Sequence, residues 1–376
     1  MGRCLTWMLM VVLMVGMPVT AWGAEEKRVP EGMEGYDFSG LDRMLEEDFS
    51  FTGLLGELLA GDFSGAAGMV AEGIKTDLVS GIGENGMLLG QVVALGVAGA
   101  LFSGFSSVFT AGQIGETGFF VTYLLVITML AAGFSEGVGL AEEAVESILE
   151  FMRALMPAYF LAAAFSGGSV TAAGLYEGML LLLSGIQFLF LNVFLPGVRI
   201  YFMLMLAGHV VKEDMFSRMK ELVKTAVGWG IKTMVGMVVG INLVQGMVLP
   251  YADAVKNSSM TKVMEAIPGI GKGVGAAAKM VMGSGVLIKN TMGAGAVFAL
   301  VAITVVPLLK LALMVFLYQA ASVMLEPVCD KRVIACVGET AEGYEMLLKI
   351  VGASLGLFII GIAMVCAATN ISYYAG

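Results

Sequence analysis

The chain has 376 residues, of which 58% are hydrophobic and 14% charged, and its mean hydropathy is +0.88. Soluble globular domains average about 45–50% apolar and about 25% charged residues, so the composition excludes an ordinary soluble protein. Residues 25–85 hold 14 acidic and four basic side chains and so account for the formal net charge of −10. No basic stripe with interleaved aromatic residues is present, which argues against nucleic-acid binding.

The N-terminus has the pattern of a secretory signal peptide. Arg3 precedes an apolar run at 5–15, and an A-x-G cleavage motif, with small residues at Ala21 and Gly23, follows. We predict a signal peptide over 1–23, with an uncleaved first helix as the alternative. In both cases the following residues are expected outside the cytoplasm, because only Arg3 anchors the inner side.

Residues 24–85 form an acidic segment with short stretches of helical periodicity. Leu41, Met44 and Leu45 recur at helical spacing, and a leucine-rich stretch follows at 54–59. Helices this short are marginal alone. We therefore expect an extracytoplasmic, amphipathic-helical segment that lies on the membrane surface or on a partner.

Residues 86–376 form the predicted membrane domain, since apolar runs reach the roughly 20 residues needed to cross a bilayer. The clear spans are 86–109, 117–135, 225–249 and 345–369, and two longer apolar tracts, 154–211 and 291–325, require division. Candidate helix breaks are Pro157, Gly167, Gly168, Pro196, Pro268 and Pro307. The expected fold class is all-α, a polytopic transmembrane helical bundle of seven or eight spans with broken or re-entrant helices.

Lysine and arginine in the connecting segments orient these spans. Segment 136–153 has five glutamates and only Arg153, which is compatible with the outside, whereas 212–224 is basic and predicted cytoplasmic. The turn at 330–332 is also predicted cytoplasmic. Segment 251–290 carries five lysines where simple alternation predicts an outside position, and a short re-entrant excursion would reconcile it.

The prolines suggest an internal repeat. Pro157 and Pro196 are separated by the same interval along the chain as Pro268 and Pro307. Membrane bundles built from repeats often place broken helices at corresponding positions. The spacing favours a repeat of about 117–227 with 228–338, and chance coincidence is the alternative.

Polar side chains within the apolar tracts are the candidate functional residues. The strongest candidates to line a polar pathway are Glu177, Arg199, Lys310, Gln187 and Asn192. Ionisable groups in a bilayer are costly and face protein or water. The alternative interpretation is that they bind neighbouring helices or extend to the interface.

No catalytic, cofactor or metal motif is present in the sequence. The chain has one histidine and neither an H-E-x-x-H nor a G-x-S-x-G motif, so acid–base chemistry is hard to assemble. The glycine-rich run 268–273 follows no strand and lacks G-K-[ST], which argues against a nucleotide site. Cys329 and Cys336 have no nearby histidine, which argues against zinc. We expect a non-enzymatic protein with no cofactor.

Several short motifs together resemble the stage III sporulation protein AE family of endospore-forming bacteria. They are GLLGELL at 53–59, LLGQ at 88–91, SGGSVT at 166–171, NVFLP at 192–196, LIKN at 287–290, VPLLK at 306–310 and EPVCDKR at 326–332. The resemblance extends along nearly the whole mature chain, and the order and spacing of the motifs carry it.

The resemblance implies a subunit of the channel-like, secretion-like complex that joins mother cell and forespore and is required for endospore development. The chain would be an export-gate or permease-like component in the mother-cell-derived membrane around the forespore. The implied partners are other membrane subunits, an extracytoplasmic ring protein and a cytosolic ATPase. The alternative is a stand-alone secondary transporter in which Glu177 or Arg199 is essential.

Overall fold

The computed structural model describes residues 38–42, 50–62, 64–68, 112–166, 169–210, 216–265, 271–327, 329 and 331–375, and all its regular structure there is helical. The helices are α1 (Ser39–Asp42), α2 (Phe51–Ala60), α3 (Gly112–Phe165), α4 (Ser169–Ile186), α5 (Leu195–Val210), α6 (Ser217–Glu265), α7 (Gly271–Leu325) and α8 (Lys331–Ala375). A π-helical segment, Gln187–Phe194, joins α4 to α5 without interruption, and a short helical turn occupies 64–68.

Five helical stretches of the described chain are long and apolar enough to cross a membrane. They are Tyr123–Phe165, Ala172–His209, Ser217–Gln245, Met282–Leu325 and Lys331–Ala368. The fold class predicted from the sequence, an all-helical membrane bundle, is confirmed. The predicted signal peptide at 1–23 and the predicted span at 86–109 lie outside the described residues.

The predicted loop at 136–153 is wrong, because α3 is one helix of 54 residues that includes it. At 1.5 Å per residue α3 is about 80 Å long, far more than the roughly 30 Å of a bilayer core. The charged segment continues the helix because its apolar residues keep helical spacing, and Ala141, Val145 and Ile148 are all buried.

The five long passes alternate in direction, and α8 packs against the other four. At one end of the bundle Tyr344 of α8 bonds to α3 at Gly133, and Tyr201 of α5 bonds to Glu342. At the other end Tyr159 of α3 contacts Cys366. We call these the Glu342 end and the Cys366 end.

Two predicted helix breaks are not breaks in the structure. Pro157 lies inside α3 and Pro307 lies inside α7. Proline has no N–H. Each proline therefore leaves the backbone carbonyl four residues earlier, at Arg153 and at Ile303, without its helical hydrogen-bond donor. Membrane helices tolerate this because neighbouring helices, side chains and local adjustments satisfy the freed group.

The other predicted breaks have different outcomes. Pro196 is the second residue of α5, and the chain accommodates it with the π-helical segment rather than a break, since the Leu195 N–H bonds to the Phe190 carbonyl. Gly167 and Gly168 lie between α3 and α4, and Pro268 lies between α6 and α7, all outside the described residues. The internal repeat stays a prediction.

Helix α2 is closed at both ends by local hydrogen bonds. The Ser50 hydroxyl caps its start by accepting from the Gly53 N–H, and the Asp42 carboxylate accepts from the Thr52 hydroxyl at 2.7 Å. Gly61 ends it in the left-handed conformation, with φ of 79°, which glycine adopts without a Cβ penalty. These caps stabilise a helix that is too short to persist alone.

Helix α2 packs into a groove between α3 and α7. Phe51 is fully buried, and its ring meets the Phe151 ring of α3 with centroids 5.9 Å apart. A Cβ added at Gly295 of α7 would lie 2.8 Å from Leu55 Cδ2. The expectation that this segment lies on the membrane surface or on a partner is therefore corrected, because its apolar face is buried by the chain's own bundle.

An aromatic cluster holds α3, α5, α7 and α8 together near the Glu342 end. The rings of Phe134 and Phe202 stack with centroids 3.8 Å apart, and the Tyr318 and Tyr344 rings stack at 5.3 Å. The Tyr344 hydroxyl donates to the Gly133 carbonyl at 2.6 Å. This hydrogen bond ties α8 to α3 inside the bundle.

Replacing Tyr344 with phenylalanine is expected to lower the free energy of unfolding by about 1 kcal/mol or more, because the ring contacts remain while the hydroxyl's buried hydrogen bonds with Gly133 and Tyr318 are lost. Thermal unfolding of the purified chain in detergent measures this change. Tyr176→Phe is the matched control, since its ring packs edge-on against Phe160. Equal effects of the two substitutions would contradict a specific contribution from the Tyr344 hydroxyl.

Candidate functional site

Helix α3 carries a charged stripe along its exposed face. Its members, separated by seven, three, four and three residues, are Glu136, Glu143, Glu146, Glu150 and Arg153, and all five are exposed. These separations place them on one side of a helix, while the opposite side is buried. At 1.5 Å per residue the stripe is about 25 Å long.

Side chains of the π-helical segment and α5 extend this stripe sideways. Arg199 pairs with Glu142 at 2.6 Å, and Arg153 donates to the Gln187 side chain. The Asn192 side chain donates to the Gln187 backbone carbonyl at 3.3 Å. We call this surface the polar face, made of Glu136, Glu142, Glu143, Glu146, Glu150, Arg153, Gln187, Asn192 and Arg199.

Exposed apolar residues lie beside the polar face. Its members Gln187 and Arg199 alternate along the chain with Phe188, which is 62% exposed, and Ile200, which is 54% exposed. Charged groups facing hydrocarbon are costly, so intramembrane charges face protein or water. Wherever the polar face lies within the bilayer, it requires water or another protein surface against it. π-helical turns are frequent at functional sites, and this one supplies Gln187 and Asn192.

The structure brings together three of the five residues predicted to line a pathway. Gln187, Asn192 and Arg199 belong to the polar face, whereas Lys310 is half-buried on α7. Glu177 is exposed on α4, ten residues before Gln187, or about 15 Å along the helix. Whether any of these residues lines a pathway stays a prediction.

Sequence reasoning missed the α3 members of the polar face, because five glutamates clustered within one segment resemble a solvent loop. Helical periodicity was the signal that could have identified them. The charged residues repeat every three, four or seven positions, and buried residues such as Leu149 and Met152 fill the other side.

A second charged cluster joins α5, α6 and α8 near the Glu342 end. Lys224 pairs with Glu342 at 2.8 Å, and Lys220 pairs with Glu339 at 2.5 Å. The Tyr201 hydroxyl donates to Glu342 at 3.0 Å. These contacts hold α6 against α8 by charge-assisted hydrogen bonds.

The two charged clusters correct the predicted orientation of the segments. Arg199 pairs with Glu142. Tyr201, two residues later on α5, donates a hydrogen bond to Glu342, which also pairs with Lys224. Glu142 and Lys224 therefore lie at one level of the bundle, whereas the charge rule placed their segments on opposite sides of the membrane. Rules that count loop charges fail here because these charges lie on helices and pair between them.

A buried lysine lies near the Cys366 end. Lys289 of α7 is fully buried, and its Nζ donates to the Cys366 carbonyl of α8 at 3.4 Å. The Tyr159 hydroxyl lies 3.0 Å from Cys366 Sγ. This polar group links α3, α7 and α8. Within the described residues no cluster of three or more His, Cys, Asp or Glu side chains is placed to hold a metal ion.

Reversing the charge of Arg199 with Arg199→Glu is expected to lower the free energy of unfolding by about 0.5–2 kcal/mol, the range of interhelical polar contacts in membranes. The double variant Arg199→Glu/Glu142→Arg re-forms the pair with the charges exchanged and is expected to regain the loss. Unfolding in detergent measures both. Glu143→Arg is the control, because this neighbour is exposed. Failure of the double variant to recover would contradict the pairing.

Comparisons with known proteins identify the sequence family of this chain. A model of the family described as stage III sporulation protein AE matches residues 49–369. This chain belongs to the stage III sporulation protein AE family. It is 22% identical over 321 residues to stage III sporulation protein AE of Bacillus subtilis (strain 168), covering 85% of this chain and 80% of that protein. No solved structure matches.

Membership in the stage III sporulation protein AE family supports a role in sporulation, and the five apolar helices support a membrane protein. The matched region begins just before α2 and ends within α8, so it includes both the docked N-terminal helix and the polar face. Helix α2 and the polar face therefore both lie in the part of the chain that the family model matches.

Proposed function

We propose that this chain is a non-enzymatic membrane subunit of the channel-like, secretion-like complex that joins mother cell and forespore and is required for endospore development. In this role it is an export-gate or permease-like component of the base, in the mother-cell-derived membrane around the forespore. Its partners are other membrane subunits, an extracytoplasmic ring protein and a cytosolic ATPase.

The observation that carries the proposal is the polar face. A surface about 25 Å long, with four exposed glutamates of α3, adjoins exposed apolar residues of a helical stretch that is long and apolar enough to cross a membrane. Such a surface is unfavourable against lipid and is suited to a water-filled conduit or to a neighbouring subunit. A neighbouring subunit of a larger assembly would cover this surface.

Affinity purification of the tagged chain from sporulating cells in mild detergent tests the proposal. We expect small membrane subunits and an extracytoplasmic ring protein to co-purify at fixed ratios, and we expect variants that reverse Glu143, Glu146 and Glu150 together to reduce sporulation. A chain that purifies without partners, and that moves a solute across liposome membranes with Glu177 or Arg199 essential, would instead establish the stand-alone transporter.

A further inference from the structure

Helix α6 presents an exposed ridge with a single cation at its centre. Gly228, Lys232, Gly236 and Gly240 follow one another at intervals of four residues and so share one side of the helix. A Cβ added at any of these three glycines would meet no atom within 4 Å. Trp229, beside the ridge, is 69% exposed. The ridge is thus open and low enough for another helix to approach closely, as small residues permit in membranes.

Lys232 lies at the same depth as the glutamates of the polar face. Along α6 it is between Gly230, which packs under the Phe194 ring, and Met234, which contacts Gly185. It is therefore level with the middle of the π-helical segment.

The α3 carboxylates reach this same level. Arg153 bonds to Gln187 and Glu142 bonds to Arg199, so Glu146 and Glu150, which lie between them on α3, are also level with the π-helical segment. Lys232 of α6 and the carboxylates of Glu146 and Glu150 on α3 therefore lie at the same level of the bundle.

One chain cannot bring these two surfaces together. Helix α4 packs against both α3 and α6 and lies between them. In the described part of the chain, Lys232, Glu143, Glu146 and Glu150 make no ion pair or hydrogen bond. Within the described residues, each surface therefore carries charge that has no partner of opposite sign.

We propose that the α6 ridge of one copy packs against the polar face of the next copy, with Lys232 beside Glu150 and Glu146. Charge complementarity, equal depth and the open glycines support a second copy of this chain as the occupant. Helices α3 and α6 run in the same direction, so the contact is parallel and head-to-tail. Repeated around an axis along the membrane normal, such a contact closes a ring.

Each contact brings one lysine to a stripe of four glutamates. Most of these carboxylates therefore stay unpaired and are hydrated at the interface between copies. This inference deepens the proposed function by naming one partner. It can fail while co-purification of other subunits succeeds, because the tests below measure only the contact between copies of this chain.

Disulfide trapping of the full chain in membranes tests the contact directly. Gly228→Cys and Ser147→Cys are placed one turn before Lys232 and Glu150, so the charges stay intact. We expect the double variant to form a ladder of linked oligomers on oxidation. Either single variant, and the unchanged chain with its native cysteines, is expected to give none. Linked dimers from one single variant alone would overturn the head-to-tail contact in favour of a two-fold one.

Charge reversal supplies a test that does not depend on disulfide chemistry. Lys232→Glu and Glu150→Lys are each expected to weaken self-association in detergent about tenfold, equivalent to about 1.4 kcal/mol, and the double variant is expected to restore it. Arg218→Glu makes the same change on α6 about 21 Å from Lys232 and is expected to leave association unchanged. A monomeric unchanged chain, or a double variant as weak as the single ones, would overturn the proposal.

Discussion

Replacing Phe51 with alanine is expected to weaken the docking of α2 on the bundle by about 3–5 kcal/mol, the usual cost of removing a fully buried phenylalanine ring. The ring is completely buried and lies between Phe38 and Phe151, with centroid distances of 5.7 and 5.9 Å. The cavity left by alanine cannot collapse easily, because long helices form two of its walls. Limited proteolysis within 50–62, with the bundle followed in parallel, measures release of the helix.

Leu59→Ala is the matched control for this prediction, since Leu59 belongs to the same helix and is only partly buried. We expect it to change the cleavage rate far less than Phe51→Ala. Equal protection of α2 in the Phe51→Ala variant and the unchanged chain would show that the segment is held by other contacts. The Gly295 position offers a second route to the same result, because a side chain there would displace Leu55.

Replacing Gly285 with alanine is expected to lower the free energy of unfolding by about 1–3 kcal/mol through overpacking. A Cβ at this position of α7 would lie 2.9 Å from the Ser166 backbone nitrogen and 3.0 Å from the Phe165 carbonyl carbon. Backbone atoms at the end of α3 cannot rotate away as a side chain can. Steric strain should therefore exceed the gain of up to about 1 kcal/mol that alanine brings to a helix.

Gly356→Ala on α8 is the control, because a Cβ there meets nothing within 4 Å. It is expected to leave stability unchanged or to raise it by up to about 1 kcal/mol through helix propensity. Thermal unfolding in detergent compares the two variants at one protein concentration, since self-association would otherwise shift the midpoint. Equal stability of the Gly285→Ala variant and the unchanged chain would contradict the close approach of α7 to the end of α3.

The sequence by itself determined the class of this protein. Hydropathy is a property of each segment, so apolar runs identified a helical membrane bundle without knowledge of how the helices pack. The order of short motifs was enough to identify the family. Polar residues inside apolar tracts could also be listed from the sequence, because any such residue is costly wherever it falls in the bilayer.

Only the tertiary structure decided which of these residues meet. Glu142 lies in a segment predicted to be a loop and Arg199 lies in an apolar tract, and their pairing depends on how α3 and α5 pack. The docking of α2 depends on Gly295, which lies far along the chain on α7. Hydropathy averaged along the chain does not separate the charged face of a helix from its buried face. It therefore predicted a loop at 136–153, where α3 continues. The tertiary structure shows which side of α3 is buried, because the buried side is the one that neighbouring helices contact.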